Sequence, residues 1–188
     1  MTFRKSLILI LTAELLIAVL AIIKYDFDIS ALQATTRFSG RLSLLIFSFI
    51  FILLPDHRHK LSGLLSNKFF LVFAIAHGIH LAELLSYVSL SGGHLIPIRV
   101  AGGALAYAFI FIMPLLSKRM SPGKLPWVEN IYLFYVWFIF FMTYLPRVQG
   151  KLPHAGGSYP EFVTLFMWVC ILLVVRIVLT LNQQKSHA

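Results

Sequence analysis

Residues 69–90 read FFLVFAIAHGIHLAELLSYVSL, and this stretch decides the fold. A helix needs about twenty mostly apolar residues to cross a hydrocarbon core of about 30 Å, and the stretch meets that length. Its middle nevertheless carries His77, His80 and Glu83. The rest of the chain says which solvent such a segment meets. Of 188 residues, 59% are hydrophobic and only 12% charged, and the mean hydropathy is +0.86. A soluble domain carries about a quarter charged residues, so this chain has too little polar surface to cover itself. That excludes an ordinary globular enzyme, a disordered tail and a nucleic-acid module. The expected partner is a lipid bilayer and no nucleic acid, and the net charge of +9 reads as membrane topology, since the basic residues lie between apolar runs.

Working outward from this segment, six stretches are long and apolar enough to span: Ser6–Ile23, Thr36–Leu54, Phe69–Leu90, Ile96–Leu116, Trp127–Leu145 and Phe162–Leu181. The expected fold class is all-α, a polytopic integral membrane protein built as a six-helix transmembrane bundle. Breakers mark the connections at Pro55-Asp56, Ser91-Gly92-Gly93, Ser121-Pro122-Gly123 and between Pro153 and Pro160. None leaves room for a soluble domain, so residues 1–188 read as a single membrane domain. The first segment follows Arg4 and Lys5 as a secretory signal would. Its apolar stretch exceeds a signal core, and Lys24 follows without a small-residue cleavage site, which favours an uncleaved helix.

Loop charges set the orientation. The side of the N-terminus holds Arg4, Lys5, Arg58, Lys60, Lys68, Lys118, Arg119, Lys124 and Lys185, against Lys24, Arg37, Arg41, Arg99, Arg147 and Lys151. Nine against six places both termini in the cytoplasm. The single cysteine, Cys170, excludes an internal disulfide and reads as a packing residue.

Ionisable groups in hydrocarbon are costly, about 2.5–3.5 kcal/mol at a helix centre, and so mark candidate sites. These are Glu14, His77, His80, Glu83 and Arg176. His77, His80 and Glu83 recur every three residues and form one stripe of the third helix. Counted from Lys5 and Lys68, Glu14 and His77 lie at one depth. Three readings stay open. One is a structural network, with Glu14 bonded to His77 and Glu83 paired with Arg41 or Arg99. Another is ligation of a haem iron by His77 or His80. The third is a metal site on His80 and His77, or a proton relay, completed by Glu14 and Glu83. Arg176 reads as snorkelling to headgroups, and His57, His59, His94, His154 and His187 fall in loops or the tail. The aromatic fifth helix, from Tyr132 to Tyr144, reads as packing or as one wall of a flat cofactor or quinone cavity.

Several stretches taken in order carry a resemblance. Ser39-Gly40-Arg41-Leu42-Ser43-Leu44-Leu45 opens the second helix and Leu54-Pro55-Asp56-His57-Arg58 closes it. Asn67-Lys68 leads into the third, Met113-Pro114-Leu115-Leu116-Ser117 ends the fourth, and Pro126-Trp127 starts the fifth. This order resembles the ferric-reductase-like transmembrane domain, including the haem-binding membrane subunit of bacterial methionine-sulfoxide reductase systems, over about Arg37 to Leu145. The resemblance implies a six-helix bundle in a bacterial inner membrane that carries b-type haem and passes electrons across it. It implies haem ligands on the third and fifth helices, with His80 as the third-helix ligand, His77 beside it and a second ligand near His94. The fifth helix departs from this pattern: Glu129, Asn130, Ile131 and Thr143, Tyr144, Leu145 stand where its histidines would be.

The leading expectation is therefore a membrane-embedded electron-transfer component that binds haem b or meets a quinone. Cofactor-binding residues would be His77, His80, His94, Arg41 and Arg99, with Arg147 and Lys68 as further propionate partners, and a redox protein or quinone as partner. Two other classes compete. One is a non-redox transporter, proton relay or assembly subunit using Glu14, His77, His80 and Glu83. The other is a membrane-embedded metal-dependent enzyme, against which stands the absence of GxSxG and HExxH motifs.

Overall fold

The computed structural model describes residues 2–53, 68–93, 97–119, 126–152 and 156–185. Among them the chain forms six helices and no strand: α1 Phe3–Tyr25, α2 Ile29–Leu53, α3 Phe69–Leu90, α4 Pro97–Arg119, α5 Pro126–Val148 and α6 Tyr159–Lys185. Helices are what a bilayer demands, because each satisfies its own backbone polar groups where no water can. Five of them are long and apolar enough to cross a membrane; in α4 the apolar stretch is the shorter Ala101–Ser117. The protein is an all-α, multi-pass integral membrane bundle in contact with lipid.

Polar residues place the helix ends. Asp28 precedes α2, which begins at Ile29, seven residues before the apolar stretch expected from Thr36, and its Oδ1 accepts the Ile29 amide at 2.6 Å. Gln33 to Thr35 are thereby drawn inside the helix. At the end of α3 the Gly92 amide donates to the Ser89 carbonyl and the Gly93 amide to the Val88 carbonyl, with Gly92 at φ 68°. That is a Schellman ending, which needs the left-handed residue glycine provides. It stops α3 before His94, so the expected second ligand is not carried on the α3 face; His94 itself lies outside the described residues. The same ending recurs after α5, with Gly150 at φ 69°. At the start of α6 the Ser158 amide donates to Glu161 Oε2 at 3.0 Å, half of a capping box.

Packing between neighbours runs α2–α3–α4–α5–α6 and returns from α6 to α2, while α1 lies outside this ring against α2 and α3. The ring interior is aromatic at one end, where Phe47 packs against Phe51, Phe73 and Phe140 at 5.3 to 5.6 Å between centroids. Arg176 overturns the snorkelling expectation. It is buried, donates to the Phe51 carbonyl at 2.7 Å and to Asn130 Oδ1 at 2.8 Å, and lies over the Phe51 and Phe134 rings. The physical reason is a vacancy for a donor. The carbonyl of Phe51 is among the last four of α2, and the residue four positions on is Pro55, which has no amide hydrogen.

Candidate functional site

A cavity of about 460 Å³ opens inside the five-helix ring, within the range of about 300–1,000 Å³ common to cofactor and small-molecule sites. Its α3 wall keeps His77 and His80 of the stripe seen in the sequence and continues with Leu84 and Tyr87, while Glu83 does not line it. Facing it are Gly103, Ala106 and Tyr107 of α4 and Val136, Ile139, Phe140 and Thr143 of α5. The α5 aromatics therefore both pack the core and line a cavity. Phe140 and Tyr144 belong to the buried core and to the cavity wall alike.

The two imidazoles are held differently. His77 is clamped between Phe73 and Tyr107, stacked at 5.3 and 4.8 Å between centroids, with Phe140 edge-on at 5.9 Å. His80 lies against Gly40 of α2, where a Cβ would come within 2.9 Å of Cε1 and 3.3 Å of Nε2. The glycine of the Ser39-Gly40-Arg41 sequence is what lets α2 and the ring approach so closely. The His80 ring is also within hydrogen-bonding reach of the Thr36 carbonyl. Both histidines keep a buried Nδ1 without a hydrogen-bond partner, an unusual state for a buried polar atom.

One end of the cavity is cationic. Arg37, Arg41 and Arg147 converge there beside Gln33, which donates to the Tyr87 hydroxyl at 2.9 Å. Arg41 pairs with Glu161 of α6 at 3.0 Å, and Arg147 donates to the Thr143 carbonyl of its own helix. Arg37 Nε is buried without a partner. Gly156, at φ 63°, brings the segment before α6 onto this end; a Cβ there would sit 3.2 Å from an Arg37 guanidinium nitrogen.

Two pairings expected from the sequence are not made. Glu14 accepts a hydrogen bond from Ser39, not from His77, and Arg41 binds Glu161, not Glu83; the alternative of Arg99 for Glu83 lies outside the described side chains. The depth comparison started from Lys5 and Lys68, but α1 begins at Phe3 and α3 at Phe69. Counted from those starts, eleven residues lead to Glu14 in α1 and to His80 in α3, so Glu14 sits beyond the level of His77. The site residues thus divide. His77, His80 and Arg41 share the cavity, whereas Glu14 is buried on the α1 side against Ser39. Arg99 lies in the first turn of α4, and Lys68, at the start of α3, reaches over the Phe3 ring. Sequence reading missed Gln33, Tyr87 and Tyr107 as lining residues. The available signal was helical spacing for two of them, Gln33 one turn before Arg37 and Tyr87 two turns after His80. Among the described residues no three His, Cys, Asp or Glu side chains gather as a metal shell.

Comparison with models of known protein families, with curated proteins and with solved structures finds no match to this chain.

Proposed function

We propose that the protein is a membrane electron-transfer component whose cavity holds a b-type haem, with His80 as the iron ligand. The observation that carries this reading is a cofactor-sized cavity with buried imidazoles on one wall and guanidinium groups at one end. The residues present fit the group. A carbonyl beside a ligating imidazole fixes its orientation, and Thr36 stands in that place for His80. His77, Tyr107 and Phe140 offer flat apolar walls, and Arg37, Arg41 and Arg147 offer cations for propionates. A bound haem would supply one-electron transfer; the chain's own part is to orient it, keep water from it and neutralise its carboxylates. Because α5 has no histidine and His77 and His80 share a face of α3, the ligation proposed here draws its protein imidazole from α3 alone. This reading keeps the kinship with the ferric-reductase-like domain, a bacterial inner membrane, cytoplasmic termini and a redox protein as partner.

A quinone in the same cavity is the second reading, favoured by the guanidinium, Gln33 and Tyr87 donors that would meet its carbonyl oxygens. The visible spectrum of the purified protein, oxidised and dithionite-reduced, separates the two. A Soret band with sharp reduced bands, lost in His80→Ala and displaced in His77→Ala, is the expected result. A colourless protein from haem-replete cells that yields quinone on organic extraction overturns the haem and supports the second reading.

A further inference from the structure

On the face of α2 and α3 that α1 covers, two carboxyl groups meet one hydroxyl. Glu14 of α1 is 6% exposed, and its Oε1 accepts the Ser39 hydroxyl hydrogen at 3.0 Å. Glu83 of α3 comes within reach of the same hydroxyl and of the Glu14 charge. Ser39 has no exposed surface, and a hydroxyl has a single hydrogen to give. Glu14 Oε2 and Glu83 Oε2 are both buried without a partner. Ser43, one turn along α2 and also without exposed surface, has an unpartnered hydroxyl as well.

The charged groups nearby are accounted for. Arg41 is held by Glu161, Arg37 lies over Phe38, Lys24 lies over Tyr25, and the His80 ring is turned against Gly40. Among the residues whose side chains are described, a set that leaves out Arg99, no lysine or arginine pairs with either carboxyl group. Two bare carboxylates in hydrocarbon would repel each other and each would cost several kcal/mol. The cluster has acceptors in excess and lacks hydrogens. A proton removes a charge and supplies a missing donor in one step. A metal ion would need a larger shell, and no such cluster is present among the described residues.

We propose that Glu14 and Glu83, joined through Ser39, form a proton-binding site within the membrane that holds a proton at neutral pH and exchanges it with water. Loading forms one O–H bond on a carboxylate oxygen; the proton comes from hydronium, which leaves as water. The site is separate from the cavity and stands whatever the cavity holds.

Infrared difference spectroscopy of the full chain in lipid nanodiscs, titrated with pH in H2O and D2O, tests this. The expected result is a D2O-sensitive protonated-carboxyl band of one carboxyl's intensity at neutral pH that Glu14→Gln and Glu83→Gln each diminish. Ser39→Ala should shift that band and leave its intensity. Should a variant fail to fold, glutamate-specific carbon-13 labelling of the wild-type chain reads the same band by its isotope shift. No such band at neutral pH, or one that both glutamine variants leave unchanged, overturns the proposal. Loss of the band on adding sodium at constant pH also overturns it, by giving the pair to a metal ion.

Discussion

Gly40 is the residue whose smallness the cavity depends on most directly. A methyl at this position meets the His80 ring at 2.9 Å, a separation that real Cβ contacts do not tolerate, so the ring or α2 must shift. Gly40→Ala should therefore lower haem retention and shift the Soret band. Gly102→Ala, whose Cβ meets only Ile139 Cδ1 at an ordinary 3.6 Å, should leave both unchanged. Pyridine haemochrome quantitation on the two purified variants makes the comparison. At this scale the sequence was legible in part. Period-three spacing put His77 and His80 on one stripe, because helical geometry fixes which residues share a face. It could not reveal that Glu14 meets Ser39, since that contact depends on how far α1 is displaced along its neighbours. Nor could it separate Arg176 as an interior donor from Arg176 as a headgroup contact, as both need a long cationic side chain near a helix end.

Among the elements, α6 is joined to the ring by polar contacts at both ends. Near its start, Glu161 binds both Arg41 and the Ser158 amide. Its partners are partly exposed, so Glu161→Gln should cost no more than about 1 kcal/mol. Near its other end, Arg176 bridges Phe51 of α2 and Asn130 of α5. Arg176→Met removes both donors and orphans the buried Phe51 carbonyl, which costs about 1–3 kcal/mol, whereas Asn130, an exposed residue, adds little to that cost. Arg176→Lys can reach one acceptor but lacks the fork to hold both, and should fall between. Thermal unfolding in detergent should rank wild type first, then Glu161→Gln, Arg176→Lys and Arg176→Met. Helix ends were partly legible: the Gly92-Gly93 breaker marks the end of α3, and Ser158-x-x-Glu161 is a capping signal. The start of α2 was not, because the polar residues before Thr36 read as a loop until Asp28 is seen holding the Ile29 amide ahead of them.

For the whole molecule, composition alone set the class, because a chain with so few charges has no soluble way to cover its apolar surface. What composition leaves open is which helices enclose the space, and the ring from α2 to α6 is a property of pairings no local pattern records. The loop-charge bias makes a prediction at this scale. In a Cys170→Ser background, cysteines placed at Lys5 and at Lys151 should react with a membrane-impermeant maleimide from opposite faces, Lys5 from the cytoplasmic one. Labelling of both from one face would contradict an odd number of crossings between them.

The placement of α1 outside the ring has a further consequence. Every lining residue of the cavity comes from Gln33 onward, so a chain starting at Asp26 keeps the whole chamber yet forfeits Glu14. Supplying α1 as a separate peptide would then restore one carboxyl group without rebuilding a single wall. The two sites are thus separable by cutting one interhelical turn, and a split molecule becomes a way to assay each by itself.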